Sequence, residues 1–259
     1  LWQGCAPRWQ QQQLKKMKKI APIEHLTKIS DPGINLKSQR KSRISAYNLM
    51  LRILCFHISF ASFLGLPLIV CGGLSVSLMA MASGAMHEDG LADTADGFGS
   101  NKNPEGKINI MRDSQIGVYG TLALIFAISV KAVALSELIN KDQFFACIIA
   151  LIVSGALSRS SIVGIAFFLE KASESGLASF AGKPRAPGVG ICFLTSILLC
   201  IFLLPLTKVL AAILLSIATT VVIGFLSKKQ INGYTGDVLG AAQMLSETAL
   251  LIYLATSKM

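Results

Sequence analysis

Long apolar stretches alternate with short polar segments along most of the 259-residue chain. Seven of these stretches approach the roughly 20 residues that an α-helix needs to cross the hydrocarbon core of a bilayer. They lie at about residues 45–64, 67–86, 117–139, 144–168, 188–206, 208–226 and 239–256. Stretches such as GICFLTSILLCIFLLPL lack the polar face that a helix of a soluble bundle presents to water. The pattern therefore predicts an all-α, polytopic integral membrane helical bundle of about six to seven transmembrane helices, and it disfavours a large soluble α-bundle.

Composition agrees with this prediction. The chain is 53% hydrophobic and 15% charged, with a mean hydropathy of +0.60, whereas soluble domains carry about 25% charged residues. Its six cysteines show no CxxC or metal-ligand spacing. We therefore interpret them as packing residues that imply no disulfide framework.

Basic residues are concentrated at the front of the chain. Residues 1–43 hold ten of the 24 Lys and Arg residues and only two acids. This segment has no apolar core of a secretory signal peptide. We expect a basic polar segment at 1–44 that stays in the cytosol and contacts anionic lipid rather than nucleic acid, followed by a multi-pass membrane domain at 45–259.

Three polar, glycine-rich segments are predicted to lie on the same side of the membrane. If the basic front segment stays inside, the loops at 87–116, 169–187 and 227–238 also fall inside. These loops contain eight Lys and Arg residues, whereas the opposite loops are short and nearly uncharged. A site built from all three segments would therefore face the cytosol.

The first polar segment begins with HEDGLADTADGFG at residues 87–99. If this stretch is helical, Asp89, Asp93 and Asp96 share one narrow face, because each residue advances the helix by about 100°. Three like charges near hydrocarbon need a cation, and Mg²⁺ prefers carboxylate and phosphate oxygens. Gly90 and Gly97 lie beside this face, where we expect them to let a diphosphate approach the backbone. The alternative is an ordinary acidic helix terminus in solvent.

The rest of this segment supplies candidate phosphate ligands. Lys107 offers a point charge and Arg112 a planar fork, both suited to phosphate. Asp113 is a candidate catalytic residue, as a further metal ligand or by orienting Arg112. For Lys107, a side chain that extends to the lipid head groups is the alternative.

The last polar segment and two residues within apolar spans add further candidates. Thr235 and Gly236 begin the final span with a glycine turn, whose backbone N–H groups suit an anion. Asp237 either binds the metal or caps the helix. Glu247 is costly inside an apolar span and is thus a functional candidate, with a hydrogen bond to a neighbouring helix as the alternative. Arg159 is either a phosphate ligand or the partner of Glu247.

His87 opens the acidic segment. It is a candidate general base, phosphate donor or metal ligand, and the alternative is a polar residue at the membrane interface. Its neighbours in sequence favour a functional role.

Four motifs together resemble those of the cobalamin synthase family. They are HEDGLADTADGFG, INIMRDSQIGVYG, SGLASFAGKP and GYTGDVLGAAQ, in that order. The resemblance runs from about residue 66 to the end, whereas residues 1–60 lack the family's usual opening. It implies Mg²⁺ as the cofactor and a bacterial inner membrane location.

The resemblance also implies a reaction. Adenosylcobinamide-GDP and α-ribazole, or its 5′-phosphate, are joined to give adenosylcobalamin or its phosphate, and GMP leaves. The partners are thus two small molecules and membrane lipid, and a homo-oligomer is left open. The alternatives are another Mg²⁺-dependent, nucleotide-linked phosphoalcohol transferase that makes lipid head groups, and a non-enzymatic membrane carrier.

Overall fold

A computed structural model of the chain describes residues 65–140, 144–173 and 182–256. Regular structure in these ranges is helical, apart from one parallel bridge between Lys171 and Tyr234. The helices are α1 (Leu68–Ser83), α2 (Met86–Gly99), α3 (Pro104–Met111), α4 (Val118–Asn140), α5 (Phe144–Phe168), α6 (Ala186–Leu203), α7 (Leu206–Ile231) and α8 (Gly236–Thr256).

Five helices, α4 to α8, are long and apolar enough to cross a membrane. Helices α1 and α2 pass the same test only as a pair, which is bent by 93°. The chain is thus a multi-pass helical membrane protein, as its hydrophobic pattern predicts. The predicted spans from residue 117 onward are each confirmed as a helix, with ends that differ by up to five residues. The predicted span at 45–64 and the predicted segment at 1–44 lie outside the described residues.

The predicted span at 67–86 ends early, at Ser83. Gly84 and Ala85 both adopt left-handed conformations, with φ of 66° and 55°. Their backbone N–H groups donate to the carbonyls of Met81 and Ala80, which closes the end of α1. Two consecutive left-handed residues turn the chain sharply, so α2 leaves the direction of α1. The acidic stretch is nevertheless helical, as expected. Its four carboxylates make it unsuited to the hydrocarbon core.

Helix α8 is the centre of the bundle. It packs against α2, α4, α5 and α7, and 72% of its apolar window is buried, the largest share of any candidate span. Its inner residues Leu250, Leu251 and Leu254 join the main apolar core. Four neighbouring helices therefore hold α8 in place, and with it the polar residues at its beginning.

Hydroxyl groups link the spans to one another. Ser160 on α5 and Ser196 on α6 hydrogen-bond at 2.8 Å, and Thr220 on α7 donates to Ser161 at 2.7 Å. Ser161 in turn donates to Ser246 on α8 at 3.3 Å. In lipid, no hydrophobic driving force brings helices together, so hydrogen bonds of this kind and close packing hold a membrane bundle together.

The three polar segments meet at one end of the bundle, as expected from the alternation of the loops. Tyr234 donates its N–H to the Glu170 carbonyl at 3.0 Å and accepts from Ala172 N–H at 2.9 Å. Arg112 of the first segment donates to the hydroxyl of Ser173 in the second. One composite site can therefore draw on all three segments.

Candidate active site

The acidic helix α2 crosses the start of α8 at very close range. A methyl group placed on Gly90 would lie 2.7 Å from the Asp237 carbonyl oxygen and 3.1 Å from the Gly240 Cα. Gly240 in turn faces the backbone of Met86 and His87. The expectation that Gly90 leaves room for a diphosphate is therefore wrong, because the backbone of α8 occupies that side. Gly97 likewise packs on Met111 of α3.

The other end of α2 is held by α4. The carboxylate of Asp96 accepts the backbone N–H groups of Gly117 and Gly120, at 2.7 and 2.9 Å. These amides lie at the beginning of α4, where N–H groups have no partner within the helix. Side chains at Gly117 or Gly120 would collide with the carboxylate. Asp96 therefore fastens α2 to α4, a role that the helical wheel alone does not reveal.

The charges of Asp89, Asp93 and Asp237 interact with one another on this side of α2. Burial, and then the negative charges of Asp89, Asp237 and Asp96 in that order, raise the pKa of Asp93 to about 7. Asp89 itself is exposed and Asp237 half-buried. The structure thus brings Asp237, from the far end of the sequence, to the predicted acidic face.

The crowding of these carboxylates bears on the predicted metal site. Within the described ranges, no three His, Cys, Asp or Glu side chains stand close enough to hold an ion by themselves. Mg²⁺ commonly binds only one or two protein carboxylates and takes its other ligands from water and substrate phosphates. The donor chemistry fits that mode rather than a protein cage. The metal role of Asp89, Asp93, Asp96 and Asp237 stays a prediction.

Two of the three predicted residues around α3 face the other polar segments. Arg112, which is exposed, donates to Ser173 and is near enough to Asp237 for their charges to interact. Lys107 is buried and donates to Gln230 at the end of α7. Asp113 is exposed and accepts the Gln115 N–H at 3.2 Å. The phosphate and catalytic roles of these three residues stay predictions.

The beginning of α8 is closed by Thr235. Its hydroxyl accepts the Val238 N–H at 3.4 Å, and its carbonyl accepts the Leu239 N–H at 3.3 Å. Thr235 therefore takes the capping position. The Asp237 carboxylate also accepts hydrogen bonds at this helix start, from the Thr235 side chain and from its own backbone N–H, so both interpretations of Asp237, metal ligand and helix cap, stay predictions. Gly236, the first residue of α8, is exposed. The predicted substrate-binding roles of Thr235 and Gly236 remain untested.

The partner of Glu247 is Lys131 on α4. Lys131 Nζ lies 2.5 Å from Glu247 Oε2, and both side chains are buried. The expected alternative partner, Arg159, is exposed and donates to the Gly155 carbonyl of its own helix at 2.8 Å, so its phosphate role stays a prediction. Lys131 is not among the residues predicted from the sequence, although a lone lysine in an apolar span is costly for the same reason as Glu247.

His87 lies at the crossing of α2 and α8, above these buried charges. Burial is the main cause that lowers the pKa of His87. The charge of Glu88 opposes this shift, and that of Arg159 adds to it. An imidazole that is neutral near pH 7 can accept a proton.

Comparison with known proteins places this geometry in a family. Residues 44–255 match the model of the family described as cobalamin-5-phosphate synthase. The chain belongs to this family. A cobalamin-5-phosphate synthase relative from Sinorhizobium medicae, named adenosylcobinamide-GDP ribazoletransferase, is 38% identical over 70% of this chain and 71% of its own length.

Two further relatives carry the same name. The protein from Azorhizobium caulinodans is 39% identical over 73% of each chain. The one from Bradyrhizobium diazoefficiens is 34% identical over 77% of this chain and 75% of its own. No solved structure matches the chain with significance. The cobalamin-5-phosphate synthase match covers the eight described helices except the last residue of α8, so the resemblance recognised from the sequence motifs is confirmed.

Proposed function

We propose that this protein is a membrane-bound transferase that joins adenosylcobinamide-GDP to α-ribazole or α-ribazole 5′-phosphate. The products are GMP and adenosylcobalamin or its 5′-phosphate. Family membership and the shared name of the relatives support the reaction. The structural observation that supports the reaction is the acidic face of α2. Helices α4 and α8 hold α2 in place, and the charge of Arg112 interacts with that of Asp237.

The reaction exchanges one phosphorus–oxygen bond for another. A ribazole hydroxyl oxygen attacks the phosphorus next to cobinamide, the bond to the GMP oxygen breaks, and the hydroxyl proton leaves. Mg²⁺, held by one or two of Asp89, Asp93 and Asp237 together with water and the substrate phosphates, would neutralise charge on the diphosphate. Asp96 is the least available ligand of the predicted four, because two backbone amides already engage its carboxylate.

The protein's own groups bind the diphosphate and move the proton. We assign Arg112 to the diphosphate, because its planar fork can bind two phosphate oxygens and it adjoins the acidic face. We assign His87 as the proton acceptor, since it lies on α2 two residues from Asp89 and at the crossing with α8. Asp113 is the second candidate, but it lies exposed at the end of α3.

We further propose that the site faces the cytosol from a bacterial inner membrane. The end of the bundle that gathers the three polar segments carries most of the Lys and Arg residues of the membrane domain. Cytoplasmic loops of membrane proteins carry such an excess. A cytosolic site would also meet its nucleotide-linked substrate on the side where nucleotides are made.

The test is a direct assay of GMP release. Purified full-length protein in lipid vesicles receives adenosylcobinamide-GDP, α-ribazole and Mg²⁺, and GMP is measured by chromatography. We expect GMP and the joined cobamide in equal amounts, and no GMP when α-ribazole is left out. A parallel assay with lipid extract in place of α-ribazole tests the alternative that the protein is a lipid head-group transferase. GMP release with lipid alone, or none with either acceptor, would contradict the proposal.

A further inference from the structure

The buried ion pair between Lys131 and Glu247 lies far from the acidic face. Their side chains are 2% and 7% exposed, and Lys131 Nζ also lies 3.3 Å from the sulfur of Met244. Lys131 is 13 residues into α4, which places it about 20 Å along the axis from Val118. Glu247 is ten residues beyond Asp237, about 15 Å deeper. The two charges are felt at His87, whereas the pair can affect the geometry of the acidic face only through the helices that carry it.

These two helices are the ones that hold α2. Helix α4 supplies the amides of Gly117 and Gly120 that hold Asp96. Helix α8 supplies the backbone at Asp237 and Gly240 that packs on Gly90. The geometry of the acidic face thus depends on how α4 and α8 are aligned along their axes.

Apolar packing holds α4 and α8 together mainly away from the acidic face. In the main core, Leu135 and Leu138 of α4 share one buried cluster with leucines of α8. Nearer to α2, the buried members of the apolar cluster are Leu91, Ala127, Ala241 and Met244, and small alanines and a flexible methionine offer less interlocking shape. A buried ion pair, by contrast, has one favourable arrangement, because sliding either helix leaves a charge without its partner.

We propose that Lys131 and Glu247 are positioning residues whose ion pair sets the alignment of α4 against α8 and thereby the geometry of the acidic face on α2. Their ion pair joins two membrane spans, α4 and α8. The inference rests on the proposed function only for its activity measurement. Hydrogen exchange and metal binding test it separately.

The experiment compares three variants of the full-length protein in lipid vesicles. In Lys131→Met/Glu247→Met both charges are replaced by apolar side chains, so no buried charge is left unpaired. Lys131→Glu/Glu247→Lys exchanges the two charges. Ser196→Ala is the matched control, because it removes a buried polar contact between α5 and α6 but leaves α4 and α8 untouched.

Three quantities are measured. The first is the exchange rate of the backbone amides in peptides that cover 86–99 and 112–121, relative to the other helices. The second is the binding of Mn²⁺ alone, followed by its electron paramagnetic resonance signal. The third is kcat and KM for GMP release.

We expect the apolar double variant to fold but to show faster exchange confined to these two peptides and weaker Mn²⁺ binding. Its kcat should fall about tenfold with KM nearly unchanged, because a shift of the site on the order of 1 Å acts mainly on the chemical step. The charge-exchanged variant should recover most of each loss, and Ser196→Ala should match the wild type.

Two results would overturn the inference. One is an apolar double variant with wild-type exchange and Mn²⁺ binding. The other is faster exchange spread evenly over all helices, which indicates a loss of general stability. If the apolar double variant does not fold, the charge-exchanged variant provides the test. Exchange rates in 86–99 and 112–121 that stay above those of the wild type in this variant would then contradict the inference. A wild-type protein that releases no GMP refutes the proposed function and leaves the first two measurements decisive.

Discussion

Replacing Gly90 by alanine tests the close crossing of α2 and α8. The added methyl would lie 2.7 Å from the Asp237 carbonyl oxygen and 3.2 Å from the Asp237 Cα. A carbon and an oxygen in ordinary contact stand roughly 3.3 Å apart or more, so the helices must separate by several tenths of an ångström. Overpacking of this kind costs about 1–3 kcal/mol. The displaced atoms belong to the residue that faces Asp93, so we expect kcat to fall by about 10- to 100-fold.

The matched control is Gly73→Ala on α1, where an added methyl meets no atom within 4 Å. This change should leave kcat unaltered and stabilise the helix slightly, by roughly 0.5–1 kcal/mol, since glycine disfavours helix interiors. GMP release and thermal unfolding in the same vesicles measure both effects. Wild-type kcat in Gly90→Ala, or an equal loss in Gly73→Ala, would refute the assignment of the crossing as the support of the acidic face.

Four further predictions concern the site itself. Asp93→Asn should lower kcat by at least about tenfold, or about 1.4 kcal/mol of barrier, without loss of folding, because it removes one of several crowded charges; unchanged turnover would contradict the metal role. Arg112→Lys keeps the charge but loses the fork, so kcat should fall while KM for the GDP-linked substrate stays nearly constant at low and high salt; a silent substitution would instead indicate contact with lipid head groups. In metal-free buffer the protein should melt at a lower temperature at pH 8 than at pH 6, because the raised pKa of Asp93, about 7, means that stability is lost as the folded-state carboxyl ionises; the difference should shrink in Asp93→Asn. Single cysteines at Ser100 and Lys183, in a cysteine-free background, should react with an impermeant reagent from the cytosolic side only, and labelling of either from the periplasm would break the proposed orientation.

The sequence predicts the helices well because length and apolarity decide them. The span at 144–168 coincides with α5, and the acidic stretch at 87–99 is a helix as expected. Prediction from the sequence fails where a single turn decides where a helix ends. The end of α1 at Ser83 depends on two left-handed residues, one of which is an alanine that gives no such signal.

The sequence predicts the acidic face of α2 better than it predicts the contacts of the residues on that face. Asp89, Asp93 and Asp237 are brought together as the motifs suggest. Helical periodicity places Asp96 on the same face, but it does not show that the start of α4 supplies donors for that carboxylate. The pairing of Glu247 with Lys131 could not be predicted either, because it depends on which faces of the two membrane spans lie together.

The sharp turn after Ser83 also has a consequence for the lipid around the protein. Helix α1 has 16 residues and is about 24 Å long, whereas the hydrocarbon core is roughly 30 Å thick. A helix too short for its bilayer thins the lipid beside it. On the side where α1 ends, the membrane surface should therefore dip toward α2, so that a large water-soluble substrate reaches the aspartates without entering hydrocarbon. Lipids with shorter acyl chains would relieve this mismatch.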